Sequence, residues 1–138
     1  MYTNDRPDNE TIADAVMSPQ LEGVRVLYLE DEALINMSTT EVLEQMGCSV
    51  RSFMQLDKCF TAIEIELPDV GVLDVNIDGE MSFGLAAKLN EAGVPILFVT
   101  GYDTPDPHGH LRRHAVCRKP CSPSELEAAL IKLIAGFT

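Results

Sequence analysis

Apolar residues fall in short runs separated by polar stretches, and the spacing within the runs alternates along the chain. The runs "VRVLYL" (24–29), "CSVRSF" (48–53), "VGVLDV" (70–75), "PILFVT" (95–100) and "HAVCRK" (114–119) read as five strands. Between them the spacing turns helical. Residues 32–46 carry Ile35, Val42, Leu43 and Met46 on one face, with Gly47 where a helix stop belongs. Residues 55–66 form a second helical stretch, broken by Pro68 and Asp69, and residues 82–91 form a third, closed by Gly93. The last helix has a legible start. Ser122 is placed as N-cap, Pro123 in the first turn and Glu125 at the third position, a capping box. Leu126, Ala129, Leu130, Leu133, Ile134 and Phe137 then form one apolar stripe. Residues 101–113 are loop-rich, with Gly101, Pro105, Pro107 and Gly109.

Strands alternating with helices predict an α/β fold, a doubly wound five-stranded parallel sheet with right-handed crossovers and helices on both faces. Residues 1–22 hold five acids against Arg6 and two prolines, with weak periodicity. They read as a flexible acidic tail before a domain spanning 23–138, a short helix over 11–17 being the rival reading.

The chain of 138 residues suits one domain, and its 46% apolar share suits a packed core. The formal net charge is −12, from 22 acids and 10 bases. That excludes the basic footprint of a nucleic-acid binder and disfavours an anionic membrane surface. No run approaches a transmembrane span, and the start lacks the basic and apolar regions of a signal peptide, so a cytoplasmic protein is expected. Cys48, Cys59, Cys117 and Cys121 then read as reduced thiols.

In doubly wound sheets ligands bind beyond the carboxyl ends of the strands. The first strand ends in Glu30-Asp31, the third carries Asp74 near its end, the fourth ends in Thr100-Gly101 and the fifth in Lys119-Pro120. Taken singly, each is an ordinary turn, cap or surface residue. Together they place three carboxylates, a hydroxyl and an ammonium on one edge. Crowded carboxylates call for a hard cation, and Mg²⁺ suits a site with few protein ligands. The hydroxyl and ammonium add what a phosphoryl group wants, and Asp74 could accept it as an aspartyl phosphate.

The segments "VLYLEDE", "VGVLDVNI", "FVTGYD" and "CRKP" resemble those of the receiver domain of two-component response regulators, over residues 23–137. The resemblance implies a flavodoxin-like strand order 2-1-3-4-5. It implies that Asp74 is the phosphoacceptor and that Asp31 holds Mg²⁺ directly, Glu30 through water and Asn76 through its backbone carbonyl. Thr100 matches the switch hydroxyl and Lys119 the phosphate-binding lysine. The N–H groups of Asn76 and Gly101 would face the phosphoryl oxygens, and the Lys119-Pro120 peptide would be cis. The chain would be a phosphorylated signalling protein that promotes its own phosphorylation and slow dephosphorylation, not an enzyme with a small-molecule substrate. Its donor would be a sensor histidine kinase or a histidine phosphotransfer protein. Because the last helix ends the sequence, output is expected through protein contact, as a relay intermediate, phosphate sink or kinase regulator.

Two departures stand out. Glu30 replaces the commoner aspartate, and Val116 stands where the family usually has a switch aromatic. "PILFVTGYD" resembles the FAT GUY subgroup of receivers, with Val99 in place of Ala; that subgroup's partners are often HWE-type and related kinases. Tyr102, or the loop around it, is a candidate to replace the missing aromatic. Three rival readings remain. The first is a receiver that is not phosphorylated and acts as a binding module. The second is a haloacid-dehalogenase-like phosphatase, disfavoured by Asn76 where a second carboxylate belongs. The third is a transition-metal site drawn from His108, His110, His114, Cys117 and Cys121.

Overall fold

The computed structural model describes residues 18–101, 104, 106 and 108–136. Five parallel strands form the main sheet: β1 (Arg25–Leu29), β2 (Ser49–Phe53), β3 (Val70–Asp74), β6 (Ile96–Thr100) and β7 (Ala115–Arg118). Their spatial order is β2-β1-β3-β6-β7, so chain direction reverses its march across the sheet between β1 and β3. Two short strands, β4 (Asn76–Ile77) and β5 (Glu80–Met81), make a separate antiparallel hairpin. Setting that hairpin aside, the order is the expected 2-1-3-4-5. Four α-helices accompany the sheet: α1 (Ala33–Gln45), α2 (Leu56–Ile65), α3 (Phe83–Glu91) and α4 (Pro123–Ile134). Among the described residues, no helix is long and apolar enough to cross a membrane.

Alternation along β1 shows why its sequence is apolar at nearly every position. Val26 and Tyr28 join one core with Leu43 of α1, Met46 just after that helix, and Leu126, Leu130 and Leu133 of α4. Leu27 and Leu29 face the other way, onto Cys59 and Ile63 of α2 and Leu85 and Leu89 of α3. A strand buried on both faces cannot alternate with polar residues. Gly71 in β3 is required by closeness: a Cβ there would lie 3.1 Å from Leu89 Cδ1 and 3.3 Å from Ile96 Cδ1.

The register aligns the strand ends. Leu29 pairs with Leu73, Asp74 with Val99 and Thr100 with Arg118. The residues at or just past the carboxyl ends of β1, β3, β6 and β7 therefore share one edge.

The capping box of α4 is present. Glu125 N–H donates to Ser122 Oγ at 3.2 Å, and Ser122 N–H donates to Glu125 Oε1 at 2.9 Å. Ser122→Ala should cost about 1 kcal/mol, read as a lower denaturant midpoint at unchanged slope.

The packed region starts earlier than residue 23. Pro19–Leu21 form a 3-10 turn, and Leu21 is fully buried in the α1/α4 core, because this apolar side chain closes the amino-terminal end of that core. Residues 1–17, the rest of the expected tail and its rival helix, lie outside the described residues. So do Tyr102 and Phe137. In the loop-rich stretch, His110–Arg113 form a 3-10 turn. Its start is held by the Asp106 carboxylate, which accepts from the N–H groups of His110 (2.7 Å) and Leu111 (2.9 Å).

Candidate functional site

The edge of the sheet gathers charge around Lys119. Lys119 Nζ donates to Glu30 Oε1 and to Asp74 Oδ2, each at 3.0 Å. Glu30 is 2% exposed and Asp74 8%, so neither carboxylate is freely hydrated. Each has a second donor: Val75 N–H reaches Asp74 Oδ1 at 2.8 Å, and Glu32 N–H reaches Glu30 Oε2 at 3.0 Å. Asp31 Oδ2 accepts from Asp78 N–H at 2.9 Å, which ties the β4–β5 hairpin to the end of β1.

Burial decides the electrostatics. Desolvation pushes the Asp74 carboxyl above the ordinary range, against the pull of Lys119 and the Val75 N–H. Glu30 is raised for the same first reason, against the Glu32 N–H and Lys119. Burial alone would lower Lys119, but its bonds to Glu30 and Asp74 win and hold the ammonium above its usual value. The neighbouring Tyr28 phenol is pushed by burial to about 12 and stays neutral.

One carboxylate oxygen from each of Glu30, Asp31 and Asp74 lies within 4.8 Å of the others. One ammonium cannot neutralise three carboxylates at that spacing. An all-oxygen donor set with surplus negative charge fits Mg²⁺ rather than a soft metal.

Asn76 opens β4, two residues after Asp74, and its Oδ1 is spent on the Gly79 N–H at 2.8 Å. The hairpin turn is Asp78-Gly79, with φ of 51° and 89°, the left-handed pair that a two-residue loop demands. Thr100 is buried at the end of β6, but its hydroxyl is bonded to the Thr104 hydroxyl rather than to Asp74, Glu30 or Lys119. The structure thus joins Glu30, Asp31, Asp74 and Lys119 in one cluster, sets Asn76 beside it in the hairpin, and leaves the Thr100 hydroxyl turned toward the following loop. The Lys119-Pro120 peptide is cis.

Two supporting residues were not legible in the pattern. Asn36, on α1 and nearly buried, donates from Nδ2 to the backbone carbonyls of Glu30 and Phe53, both at 3.0 Å, and so pins the ends of β1 and β2. Its only signal is a polar residue beside apolar positions of α1. Ser82 is fully buried and donates from Oγ to the Asp74 carbonyl at 2.6 Å, fixing the chain that bears the carboxylate.

The histidines do not form a metal site. His110 stacks on Phe83 (centroids 4.3 Å apart), His114 meets Phe98 edge-on (5.5 Å), and no metal-capable cluster among the described residues includes a histidine. Val116 packs against the α2/α3 core. The cysteine expectation is corrected: Cys117 and Cys121 form a disulfide, while Cys48 and Cys59 are buried free thiols. The turn through Lys119 and Pro120 brings the two α-carbons to 5.9 Å, within disulfide reach, which their separation of four residues did not reveal.

The model of the response regulator receiver domain matches residues 26–131. The chain belongs to this family. The receiver is similar in structure to SdrG from Sphingomonas melonis (28% identity, TM-score 0.69, covering 85% of this chain and 99% of that one). It is also similar to the signal receiver domain of a modulated diguanylate cyclase from Desulfovibrio desulfuricans (22%, TM-score 0.74, 83% and 95%). A third likeness is the response regulator PhyR from Brucella abortus (20%, TM-score 0.69, 93% of this receiver but 53% of that chain). No curated protein matches the receiver. No enzyme family is indicated by these likenesses.

Proposed function

We propose that this receiver takes a phosphoryl group from a phosphohistidine onto Asp74 and signals by the change that follows. The observation that supports it is the Lys119 ammonium bridging Asp74 and Glu30 inside a three-carboxylate cluster. In the transfer, a bond forms from an Asp74 carboxylate oxygen to phosphorus while the nitrogen–phosphorus bond of the donor breaks. Mg²⁺, held by Glu30, Asp31, Asp74 and the Asn76 carbonyl, would supply the positive charge that the phosphoryl oxygens and the crowded acids both need. Lys119 stays at the new dianion, exchanging a carboxylate contact for a phosphoryl oxygen. Thr100 leaves Thr104 and donates to the phosphoryl group, and release of that contact loosens the loop after β6.

Partner choice would sit on α1. Leu34 and Met37 there are 80% and 67% exposed, and Ile35 borders a cleft of about 420 Å³ that runs to Lys119 and Leu126. An apolar helix face beside the acceptor suits a donor helix carrying a phosphohistidine, from a sensor histidine kinase (HWE-type or related) or a phosphotransfer protein. The receiver domain would span 23–138, preceded by an acidic segment whose end packs on it through Leu21.

Incubation with a small acyl phosphate should add one phosphoryl group per chain, seen by intact mass, with Mg²⁺ and not with a chelator. Uptake indifferent to chelation would overturn the reading, and no uptake at all would favour a binding module. Mg²⁺ alone should also raise the melting temperature, by the equivalent of about 2.7 kcal/mol at a hundredfold excess over its dissociation constant. Asp31→Asn should remove most of that shift.

A further inference from the structure

We propose that Cys117 and Cys121 are a reversible redox modification site that sets how readily Asp74 accepts a phosphoryl group. This rests on the phosphoacceptor reading of Asp74. The disulfide closes a loop of five residues with Lys119 at its centre, and Lys119 is the residue that reaches both Glu30 and Asp74. One sulfur is anchored: Cys117 is buried in β7. The other is reachable: Cys121 is half-buried, lines the cleft with Glu30, Lys119 and Pro120, and precedes the N-cap of α4. Cys121 is therefore the sulfur that an outside disulfide meets first, the thiolate being the form that attacks. The other two cysteines make poor competitors, because burial pushes the Cys48 and Cys59 thiols to about 11 and about 12.

Glu125 lies near both sulfurs, so a metal is the competing use of this cluster. Its carboxylate is committed to the Ser122 N–H in the cap of α4, and the sulfurs are bonded to each other.

The chemistry balances with a low-molecular-weight disulfide such as oxidised glutathione. The Cys121 thiolate attacks one of its sulfurs and expels a thiolate, giving a mixed disulfide. The Cys117 thiolate then attacks Cys121 Sγ and expels the second. The protein dithiol loses two electrons and two protons, and the glutathione disulfide becomes two thiols. Closing the loop holds Lys119 in place against the carboxylates; opening it frees the segment between β7 and α4. The oxidised chain is therefore the faster acceptor.

The test equilibrates the full chain against oxidised or reduced glutathione, then adds a small acyl phosphate with Mg²⁺. The oxidised chain should be lighter by two hydrogens, with the cross-link mapped to residues 117 and 121. It should accept phosphoryl on the order of tenfold faster than the reduced chain, within the roughly hundredfold loss that a 1 Å misplacement can produce. A Cys117→Ser/Cys121→Ser chain should keep the reduced rate under both conditions. The wild-type comparison stands by itself if that variant folds poorly. Failure of the cross-link to form, or a reduced chain that retains zinc at these sulfurs, would overturn the proposal. Equal rates in the two forms would overturn the coupling while leaving Asp74 as acceptor. No phosphoryl uptake in either form, with the cross-link present, would contradict the Asp74 reading and the coupling with it.

Discussion

Asp74→Asn is expected to fold and to take up no phosphoryl group, a loss of at least about a hundredfold in rate, since removing the nucleophile of a coupled site costs orders of magnitude. Asn keeps the shape of the side chain and its single acceptor oxygen can still take the Val75 N–H, while its amide NH2 gives up the Lys119 contact and Lys119 retains its bond to Glu30. The variant should also gain stability relative to the native chain as pH rises. Burial raises the Asp74 carboxyl above its ordinary value. The stability that its neutral form contributes is therefore present below the ordinary carboxylate range and lost as pH rises through the raised value. Asn never ionises and escapes that loss. The gap in melting temperature between Asp74→Asn and the native chain should open from acid toward neutral pH. A variant that melts lower at neutral pH than at acid pH, relative to the native chain, would contradict this picture of a site held ionised at a cost to the fold.

Phe98→Ala is expected to be the most damaging single change to the fold. Phe98 is fully buried in β6 and meets Phe83 (5.7 Å between centroids) and His114 edge-on. Truncating a buried Phe costs about 3–5 kcal/mol, a large part of the roughly 5–15 kcal/mol that holds a domain folded. Because β6 ends at Thr100 and pairs with β3 through Asp74, the loss should reach the site as well. Urea denaturation should show a midpoint shifted well down, and a shift of under about 1 kcal/mol would mean the ring is not part of a close-packed core.

Most of the fold is written in runs of apolar residues that a two-sided sheet requires. The strand expected at 70–75 is Val70–Asp74, and the helix expected at 32–46 is Ala33–Gln45. The capping box at Ser122 and Glu125 was readable because it depends on neighbours in sequence. The cluster of Glu30, Asp31, Asp74 and Lys119 was readable because parallel topology sends strand ends to one edge. What was not legible depends on contacts without periodicity. The β4–β5 hairpin has only two residues per strand, too few to show alternation, although Asp78-Gly79 is its turn signal. Leu21 is one apolar residue in a polar stretch, and nothing local says that it reaches the α1/α4 core. His110 and His114 offered metal-binding nitrogens in sequence, but in the fold their rings serve as packing surfaces for Phe83 and Phe98. The cysteine pair was hidden because its closeness is made by the turn at Lys119 and Pro120, not by spacing. Thr100 was placed at the correct edge, yet its hydroxyl direction is set by Thr104 in the loop that follows.

The most direct measurement of the central claim is to phosphorylate the native chain with a small acyl phosphate and Mg²⁺, trap the product by borohydride reduction, and map the modified residue by peptide mass spectrometry. Borohydride converts an aspartyl phosphate to homoserine and leaves phosphorylated histidine or serine unconverted. The account predicts homoserine at position 74 and nowhere else. Homoserine at another position, or phosphorylation that leaves Asp74 unaltered, would contradict it.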